Sequence, residues 1–283
     1  MTPDRRFVDL PKHFWANIRT ISQRIGYTQR GGTGQILVPS ADQVRQCMEQ
    51  LGLSAGHLMD DRSKPTKLGK AVLEYFRHRA DVLNGYVEPR LQDADAAKAM
   101  FEGLQKNVPT KRKPPMNKQK GEKKAPAYFT ASICLLIEQN AEGMPCDYDP
   151  RELTTVTLNG APLRTLARRV DGAFPGPVNP IAVWEIKEYY YTTTFGSRVA
   201  DGVYESLLDG MELEELREQE KIDVKHYLMV DSHYTWWECG RSYLCRVVDM
   251  LHMGYVDEVL FGREITERLP AIVKQWAARA KAR

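Results

Sequence analysis

The chain has no long apolar run and nothing that resembles a cleavable leader. Its longest apolar run, residues 131–137, is interrupted by Ser132, whereas a membrane-spanning helix needs about 20 apolar residues. Residues 1–9 are polar overall and lack the apolar core of a secretory signal peptide. We therefore expect a cytoplasmic protein that has no membrane partner.

Metal-binding patterns of cysteine and histidine are also lacking. The five cysteines are an odd number and form no Cys-x-x-Cys pair, which fits neither a disulfide framework nor a zinc ribbon. The histidines are scattered singly, and no Glu-x-x-His pair occurs. We expect reduced thiols, and we expect neither a zinc site nor a Cys/His nucleophile.

Surplus positive charge is confined to one short segment. The net charge of the chain is +3, yet residues 106–124 hold eight Lys or Arg against one Glu, a net of +7, so the rest carries a net −4. Such a segment suits contact with a polyanion, and Lys111, Arg112 and Lys113 are candidate contacts to a DNA backbone. The alternative is a solvated linker, because the segment has three prolines and few large apolar residues.

This basic segment separates two halves with different patterns. Residues 1–105 are predicted to form a mainly helical domain, 106–125 a basic linker and 126–283 an α/β domain. In the first half, apolar residues at helical spacing and a capping box of Ser40 and Gln43 indicate helices. The helices are predicted at residues 14–25, 40–51, 68–84 and 93–104, with one short strand at 35–38. Two interpretations stand: a winged-helix-like DNA reader, or an accessory helical cap on the larger domain.

The second half alternates between helix and strand patterns. A buried helix is followed by a strand, a hairpin, a helix, a buried strand and two C-terminal helices. These elements are predicted at 127–140, 153–158, 164–191, 197–208, 224–230, 243–260 and 265–282. The order α-β-β-β-α-β predicts an α/β fold. The charged stretch 206–221, which contains Asp209, is predicted to be a solvated helix.

Within the hairpin, two carboxylates and an ammonium group are predicted to meet. Asp171 precedes a six-residue loop with three prolines and a glycine, and Glu185 and Lys187 follow that loop. Reflecting the hairpin about the loop places Asp171 opposite Trp184, within one residue of Glu185, and facing Cβ atoms are about 5 Å apart. Two carboxylates at that distance repel unless a cation lies between them. Glu185 and Lys187 are two apart and share a face of the strand, while Ile186 points the other way.

The residue pattern by itself is weak. An Asp followed, after about 8 to 20 residues, by Asp or Glu, any residue and Lys should occur about once by chance in such a chain. Asp209 with Asp223 and Lys225 forms a second example. Apolar β-forming residues flank the first example, whereas Asp209 lies in the charged stretch. We interpret the second example as the chance occurrence.

Asp171, Glu185 and Lys187, with the order of elements around them, resemble the PD-(D/E)xK nuclease superfamily over residues 126–232. Within that superfamily the chain resembles type II restriction endonucleases. The resemblance implies a restriction-endonuclease-like mixed β-sheet core flanked by helices, with the helical N-terminal domain added. It also implies that Asp171, Glu185 and the Ile186 carbonyl bind Mg²⁺, and that Lys187 orients or helps to deprotonate the attacking water.

Two further residues bear on this resemblance. Members often have Pro before the first Asp, where this chain has Val170; the difference removes no ligand. Members also often place a Glu of the first core helix beside the metal, and Glu138 is the candidate here, as a carboxylate in an apolar helix. The alternative is that Glu138 emerges at the helix end beside Gln139 and Asn140.

Hydroxyls and an arginine after the second hairpin strand are candidate contacts to DNA. Thr193, Ser197 and Arg198 lie at the start of a predicted helix, where backbone N–H groups suit phosphate. The alternatives are that the tyrosines before them are strand core, and that Arg198 pairs with Asp201 along the helix. Glu205, one turn after Asp201, is a candidate to approach the site.

The resemblance predicts a Mg²⁺-dependent DNA endonuclease, either a type II restriction enzyme or a related phage-defence nuclease. Its partner would be double-stranded DNA, and a homodimer would supply two sites for two strands. The alternative is a non-catalytic nucleic-acid-binding protein with an inert nuclease-like domain. A third class, a structural or interaction module, predicts no affinity for nucleic acid. The intact Asp, Glu and Lys set favours the nuclease, because binding alone gives no reason to crowd two carboxylates beside a phosphate.

Overall fold

A mixed β-sheet forms the middle of the C-terminal half. The computed structural model describes residues 1–29, 34–107, 113–117, 119–192 and 196–283, without the side chain of Arg198. The strands in these ranges are β1 (Thr155–Leu158), β2 (Ala161–Thr165), β3 (Gly172–Phe174), β4 (Ala182–Glu188), β5 (Lys225–Asp231) and β6 (Glu258–Phe261). The sheet has the order β3-β4-β5-β6, in which β3 is antiparallel to β4 and the others are parallel. β1 and β2 form a separate antiparallel hairpin.

Helices cover both faces of the sheet. The α-helices of the described residues are α1 (Lys12–Ile25), α2 (Ala41–Gln50), α3 (Lys67–Val82), α4 (Ala94–Asn107), α5 (Tyr128–Asn140), α6 (Ser197–Glu220), α7 (Arg241–His252) and α8 (Glu264–Lys281), of which α5 to α8 cover the sheet. Apolar residues of α5 and α8 pack on one face. Those of α6 and α7 pack on the other face. The described residues therefore form a mixed α/β fold, as the sequence predicts.

The alternation of side chains along β4 determines which residues reach which face. Trp184 lies on the α5 and α8 side, where its ring stacks on Trp276 with centroids 5.5 Å apart and planes at 10°. Such aromatic pairs add about 0.5–1.5 kcal/mol beyond the burial of their area. Val183 lies on the opposite side, in a cluster with residues of α6. Because successive side chains alternate, Glu185 and Lys187 also face α6.

The N-terminal helices have a core of their own and also contact α7. α1 ends at Ile25, and Gly26 follows with a φ of 102°, which favours glycine. Ser40 and Gln43 form the predicted capping box. In the contact with α7, the guanidinium of Arg79 is buried and lies 3.0 Å from an oxygen of Asp249. A charged pair in this position ties the two halves together, because either partner alone would leave a buried charge uncompensated.

α4 packs on the C-terminal half. Phe101 forms a small apolar cluster with Ala131 and Leu135 of α5. The helix that the sequence assigns to the end of the N-terminal domain thus contributes to the surroundings of the sheet. In the described part of the chain, no helix is both long and apolar enough to cross a membrane.

Some predicted elements are wrong. The strand expected at 35–38 is reduced to a single bridge between Ile36 and Thr28. β2 was not expected as a strand separate from the main hairpin. The helix expected to continue to residue 260 ends at His252, and β6 follows, because Gly254 adopts φ 81° and stops the helix.

The largest correction concerns α6. The stretch 206–221 was expected to be a solvated helix, but it continues the helix that begins at Ser197. Ser206, Asp209 and Gly210 are buried, as are the apolar residues on the same side. Small residues at this spacing let the helix lie close to its neighbours. The charged stretch 206–221 is therefore part of a helix that packs against the sheet and faces the candidate site.

Candidate active site

The β3–β4 hairpin brings Asp171 to Glu185. Gly172 pairs with Trp184, so Asp171 lies one step further along, facing Glu185. The backbone N–H of Asp171 donates to the Trp184 carbonyl and to Oε1 of Glu185, each at 3.1 Å. The prediction that Asp171 lies within one residue of Glu185 across the hairpin is therefore confirmed.

The carboxylate of Asp171 is held against the backbone of β4. Its Oδ2 accepts a hydrogen bond of 2.9 Å from the N–H of Ile186. This contact orients the carboxylate beside the peptide unit that separates Glu185 from Lys187. Asp171 is partly exposed, whereas Glu185 is fully buried. Asp171 is therefore the more accessible of the two acids.

Lys187 and Glu185 form a buried pair on one face of β4. The ammonium Nζ lies 2.7 Å from Oε2 of Glu185 and 3.3 Å from Oε2 of Glu205 on α6. Burial by itself lowers the pKa of Lys187, but Glu185 and Asp171 outweigh it and raise that pKa above the usual lysine value. Lys187 is thus a fixed cation. The approach of Glu205 to the site, a candidate from the sequence, is present in the structure.

Arg168 is a further member of the cluster, which the sequence pattern does not indicate. Its two terminal nitrogens lie 3.0 and 3.1 Å from the two oxygens of Glu185, and Nη1 also lies 2.5 Å from Oδ2 of Asp209. Burial lowers and the surrounding carboxylates raise the pKa of Arg168, and the net shift is upward. A guanidinium can hold two carboxylates at once because its donors form a planar fork.

Asp209, the first residue of the second Asp/Lys pattern, also belongs to this cluster. It is fully buried on α6, and burial raises the pKa of its carboxyl to about 7, with Glu185 adding to that rise and Arg168 opposing it. Its Oδ1 is buried without a hydrogen-bond partner among the described atoms. The other members of that motif do not join it: Asp223 and Lys225 pair with each other at 3.1 Å. Asp209, Asp223 and Lys225 therefore form no common site, although Asp209 itself belongs to the cluster around Glu185.

The net effect on Glu185 is that it stays ionised. Burial would raise the pKa of its carboxyl, but Lys187 and Arg168 hold that pKa below the usual glutamate value. Each oxygen of Glu185 is hydrogen-bonded or ion-paired to a cation. The cluster therefore has four carboxylates and two cations, the former being Asp171, Glu185, Glu205 and Asp209.

Glu138 is not brought to the cluster. Its helix packs on the face of β4 that carries Trp184, which is opposite to the face of Glu185, and Glu138 itself is exposed near the helix end. Glu188 also lies on that opposite face, as expected, where its Oε2 accepts hydrogen bonds from the N–H and hydroxyl of Thr130 at 2.9 and 2.8 Å. Neither residue extends the carboxylate set around Glu185.

The predicted DNA contacts are only partly covered by the described residues. Lys111, Arg112 and Thr193 lie outside them, and so does the side chain of Arg198. Lys113 is exposed, and Ser197 is exposed as the first residue of α6. These two positions are accessible to a partner.

A loop of the basic segment reaches the end of β4. Asn117 Nδ2 donates to the Lys123 carbonyl at 2.9 Å and closes the loop. Lys123 also lines a cavity of about 420 Å³ together with Tyr191 and Tyr234. Glu122 lines the same cavity, so a lysine and a glutamate of the basic segment both lie near the end of the strand that carries Lys187.

The oxygen donors suit Mg²⁺ in kind, since hard divalent cations prefer carboxylate and carbonyl oxygens. Asp171, Glu185 and the Ile186 carbonyl are the residues that would hold it. Among the described residues no group of three or more His, Cys, Asp or Glu side chains is arranged to hold a metal ion. The expected set has only two carboxylates, and Arg168 now neutralises one of them. Binding of a cation at Glu185 would therefore compete with Arg168.

Comparison with known protein families divides the chain in two. Residues 92–276 match the family described as Domain of unknown function (DUF7687). Residues 1–86 match a second family, Domain of unknown function (DUF7690). The first match begins before α4, in keeping with the packing of α4 on α5. No curated protein and no solved structure matches the chain.

Proposed function

The chain belongs to the DUF7687 family, and from its candidate site we propose that it is a Mg²⁺-dependent endonuclease that hydrolyses phosphodiester bonds in double-stranded DNA. The observation that carries this proposal is the meeting of Asp171, Glu185 and Lys187. Asp171 is anchored on the Ile186 N–H, and Lys187 lies 2.7 Å from Glu185. This is the constellation that the resemblance to PD-(D/E)xK nucleases implies.

The surrounding elements support the same proposal. An antiparallel hairpin carries the three residues, and α6 and the parallel strand β5 follow it. A restriction-endonuclease-like core has this sequence of elements. We propose that core for residues 126–232, in a cytoplasmic enzyme of the restriction or phage-defence type. A homodimer would place one such site at each strand.

The chain's own residues have distinct roles in this proposal. Asp171 and Glu185 would bind Mg²⁺, which supplies charge neutralisation at the phosphate and a more acidic bound water. Lys187 would donate from Nζ to the attacking water or to a phosphate oxygen, and its raised pKa keeps it charged for that purpose. Arg168 would leave Glu185 and remain on Asp209, whose carboxylate is 2.5 Å away.

A plasmid-cleavage assay tests the proposal. We expect supercoiled DNA to be nicked or linearised with Mg²⁺ and not with EDTA, and we expect Asp171→Asn, Glu185→Gln and Lys187→Met to abolish cleavage. Glu188→Gln is the matched control: it is adjacent to Lys187 but faces α5, and an amide oxygen still accepts from Thr130. Cleavage that persists in all three site variants would overturn the assignment.

One observation favours a second candidate, a non-catalytic nucleic-acid-binding protein. Arg168 and Lys187 already compensate both oxygens of Glu185, as in a purely structural ion-pair network. That protein would bind duplex DNA in a salt-dependent way and would not cut it with Mg²⁺, Mn²⁺ or Co²⁺. A gel-shift assay beside the cleavage assay separates the two candidates.

A further inference from the structure

A large cleft lies between the two family regions, on the side of α6 away from the candidate active site. It has a volume of about 870 Å³ and is enclosed by α1, α6, α7 and the segment after α2. Tyr204 and Leu207 of α6 line it, whereas Glu205 and Asp209 of the same helix belong to the ion-pair cluster. The cleft is therefore a separate site that shares one wall with the cluster. Its size falls in the range of about 300–1,000 Å³ that small-molecule sites span.

The cleft has a surplus of positive charge. Arg19 and Arg24 of α1 and Arg246 of α7 line it. In the part of the chain that the structure describes, none of these three forms an ion pair with a carboxylate. Asp249 also lines the cleft, but Arg79 and the hydroxyl of Tyr75 already engage its carboxylate. Two of the arginines make hydrogen bonds to neutral groups: Arg24 donates to Gln50 Oε1 at 3.0 and 3.2 Å, and Arg19 donates to the sulfur of Met253 at 3.4 Å. No carboxylate of the described residues neutralises the three arginines, so an anion from outside can pair with their remaining N–H groups.

Arg246 is held in position in advance. Its guanidinium carbon lies 4.3 Å from the ring centroid of Tyr27 and 4.4 Å from that of Tyr243, and Nη1 donates to the Ser242 carbonyl at 3.1 Å. Stacking on two rings restricts the side chain while leaving other N–H groups to donate. A cation that is ordered before the ligand arrives loses less entropy on binding.

The remaining walls are apolar and exposed. Leu51, Leu53 and Tyr204 line the cleft with 42%, 48% and 49% of their surface accessible. An inorganic anion would leave these walls in water, and an aliphatic acid would not need several arginines. A ligand with a flat apolar ring and a multiply charged anionic tail can pack its ring on the apolar walls and pair its tail with the arginines.

We propose that this cleft binds a free nucleotide, with the base against Tyr204 and Leu53 and the phosphates on Arg19, Arg24 and Arg246. The residues belong to both family regions, so the ligand would join the N-terminal helices to α6 and α7. The proposal is independent of the nuclease assignment, because it involves none of the cluster residues and no metal.

Isothermal titration calorimetry in EDTA tests it on the full chain. The probes are ADP, GDP, CDP and UDP, each alone, with the matching nucleosides and pyrophosphate as the separate halves of each nucleotide. A 5′-phosphorylated oligonucleotide is titrated in the same way. We expect at least one diphosphate to bind more tightly than either half. Arg19→Gln and Arg246→Gln should each weaken that binding about tenfold, the loss of one charge-assisted hydrogen bond.

Arg62→Gln is the matched control, since Arg62 is exposed and does not line the cleft; it should bind as the unchanged chain does. Arg19 is exposed on α1, so its variant keeps the fold even if Arg246→Gln does not. The proposal is overturned if no diphosphate binds, if pyrophosphate binds as tightly, or if Arg19→Gln has no effect. Binding of a 5′-phosphorylated oligonucleotide alone would overturn it in favour of a strand end.

Discussion

Arg168 joins Asp209 by a 2.5 Å contact that spans 41 positions of the chain. The contact links the segment before β3 to the middle of α6. Asp209 is fully buried, and the same guanidinium holds Glu185. Two buried carboxylates so close together repel each other, and Arg168 is the cation that lets both be packed against the sheet.

Replacing Arg168 by Met should therefore destabilise the protein, and more so at high pH. We expect the free energy of unfolding at pH 8 to fall by about 3 kcal/mol, the lower end for a broken buried pair, since Arg168 is 22% exposed. At pH 5 the loss should be smaller. The pKa of Asp209 is raised to about 7 even with Arg168 present, so its carboxyl takes up a proton when the pH falls. Urea denaturation at the two pH values measures the difference.

Arg169→Met is the matched control, because the neighbouring Arg169 is exposed. It should change the free energy of unfolding by less than about 0.5 kcal/mol. An equal loss from both substitutions, or a loss from Arg168→Met that is independent of pH, would show that Arg168 does not compensate Asp209.

The hairpin could be predicted from sequence because its geometry is local. The loop fixes the approximate register of Asp171 against Glu185, and the two-residue period fixes the shared face of Glu185 and Lys187. The structure confirms both. The same local reasoning places Glu188 on the opposite face, where it contacts Thr130.

Arg168 and Asp209 could not be found in this way, because their contact depends on how α6 packs. Charge suggested a solvated helix, but burial of Asp209 is decided by a partner far away in sequence. One signal was present: Gly202, Ser206 and Gly210 recur every fourth residue and mark a face that approaches its neighbours closely. Small residues at that spacing outweigh the acidic composition of the helix.

Asp231→Asn should alter how stability depends on pH. Burial raises the pKa of this carboxyl to about 8, although Tyr190 and the N–H groups of Gln92 and Ser232 oppose the rise. The folded state therefore retains a proton that the unfolded chain releases from about pH 4, so the native protein loses stability as pH rises towards 8. Asn cannot ionise, so the Asp231→Asn variant does not lose stability in this way as the pH rises.

The geometry also suits the amide. Oδ1 of Asp231 accepts from the backbone of Gln92 and Ser232, and Oδ2 lies 2.5 Å from the hydroxyl of Tyr190. An Asn carbonyl can accept both N–H groups while its amide donates to Tyr190. We expect the stability of Asp231→Asn relative to the parent to increase by a few kcal/mol between pH 5 and pH 9.

Asp223→Asn provides the opposite control in the same denaturation experiment. Burial would raise the pKa of Asp223, but Lys225 and Arg279 hold it below the usual value. Its ionised form therefore stabilises the fold above about pH 4, and the Asn variant should be less stable there. Parallel pH profiles for the two variants would contradict the assignment of a raised pKa to Asp231.

Gly172→Ala should disrupt the hairpin beside Asp171. A Cβ at this position would lie 2.1 Å from ring atoms of Trp184. That ring is stacked on Trp276 and cannot move aside without opening the core. We expect a loss of about 3 kcal/mol in the free energy of unfolding, because overpacking of this kind forces the backbone to shift.

The measurement for Gly172→Ala is thermal or urea unfolding beside Gly176→Ala. Gly176 lies in the loop of the same hairpin, and its Cβ would meet nothing within 4 Å. The control should lie within about 0.5 kcal/mol of the parent. A Gly172→Ala protein as stable as that control would mean that Trp184 does not fix the register of the two strands.

Two glycines on α6 should respond differently to Ala. At Gly202 the new Cβ would lie 2.8 Å from the hydroxyl of Tyr189 and 3.2 Å from Cδ of Lys187, both parts of side chains that can shift. At Gly210 it would lie 2.3 Å from the carbonyl oxygen of Tyr255, which is backbone. We expect Gly210→Ala to cost about 3 kcal/mol of unfolding free energy, and Gly202→Ala to change it little.

Gly202→Ala should instead affect the site. Inside a helix, Ala is up to about 1 kcal/mol more favourable than Gly, and this gain offsets the close contact of the new Cβ with Lys187. The contact nevertheless displaces the aliphatic part of the Lys187 side chain and so moves Nζ from its position 2.7 Å from Glu185. Metal-dependent DNA cleavage should then fall about tenfold or more, while the unfolding midpoint stays near that of the parent, since a shift of about 1 Å is sufficient for such losses. Gly103→Ala, on the exposed surface of α4 with open space around it, should leave cleavage unchanged and raise the unfolding midpoint slightly, because the same gain in helix propensity meets no clash there. Full activity in a stable Gly202→Ala protein would show that the position of the Lys187 ammonium is not set by α6.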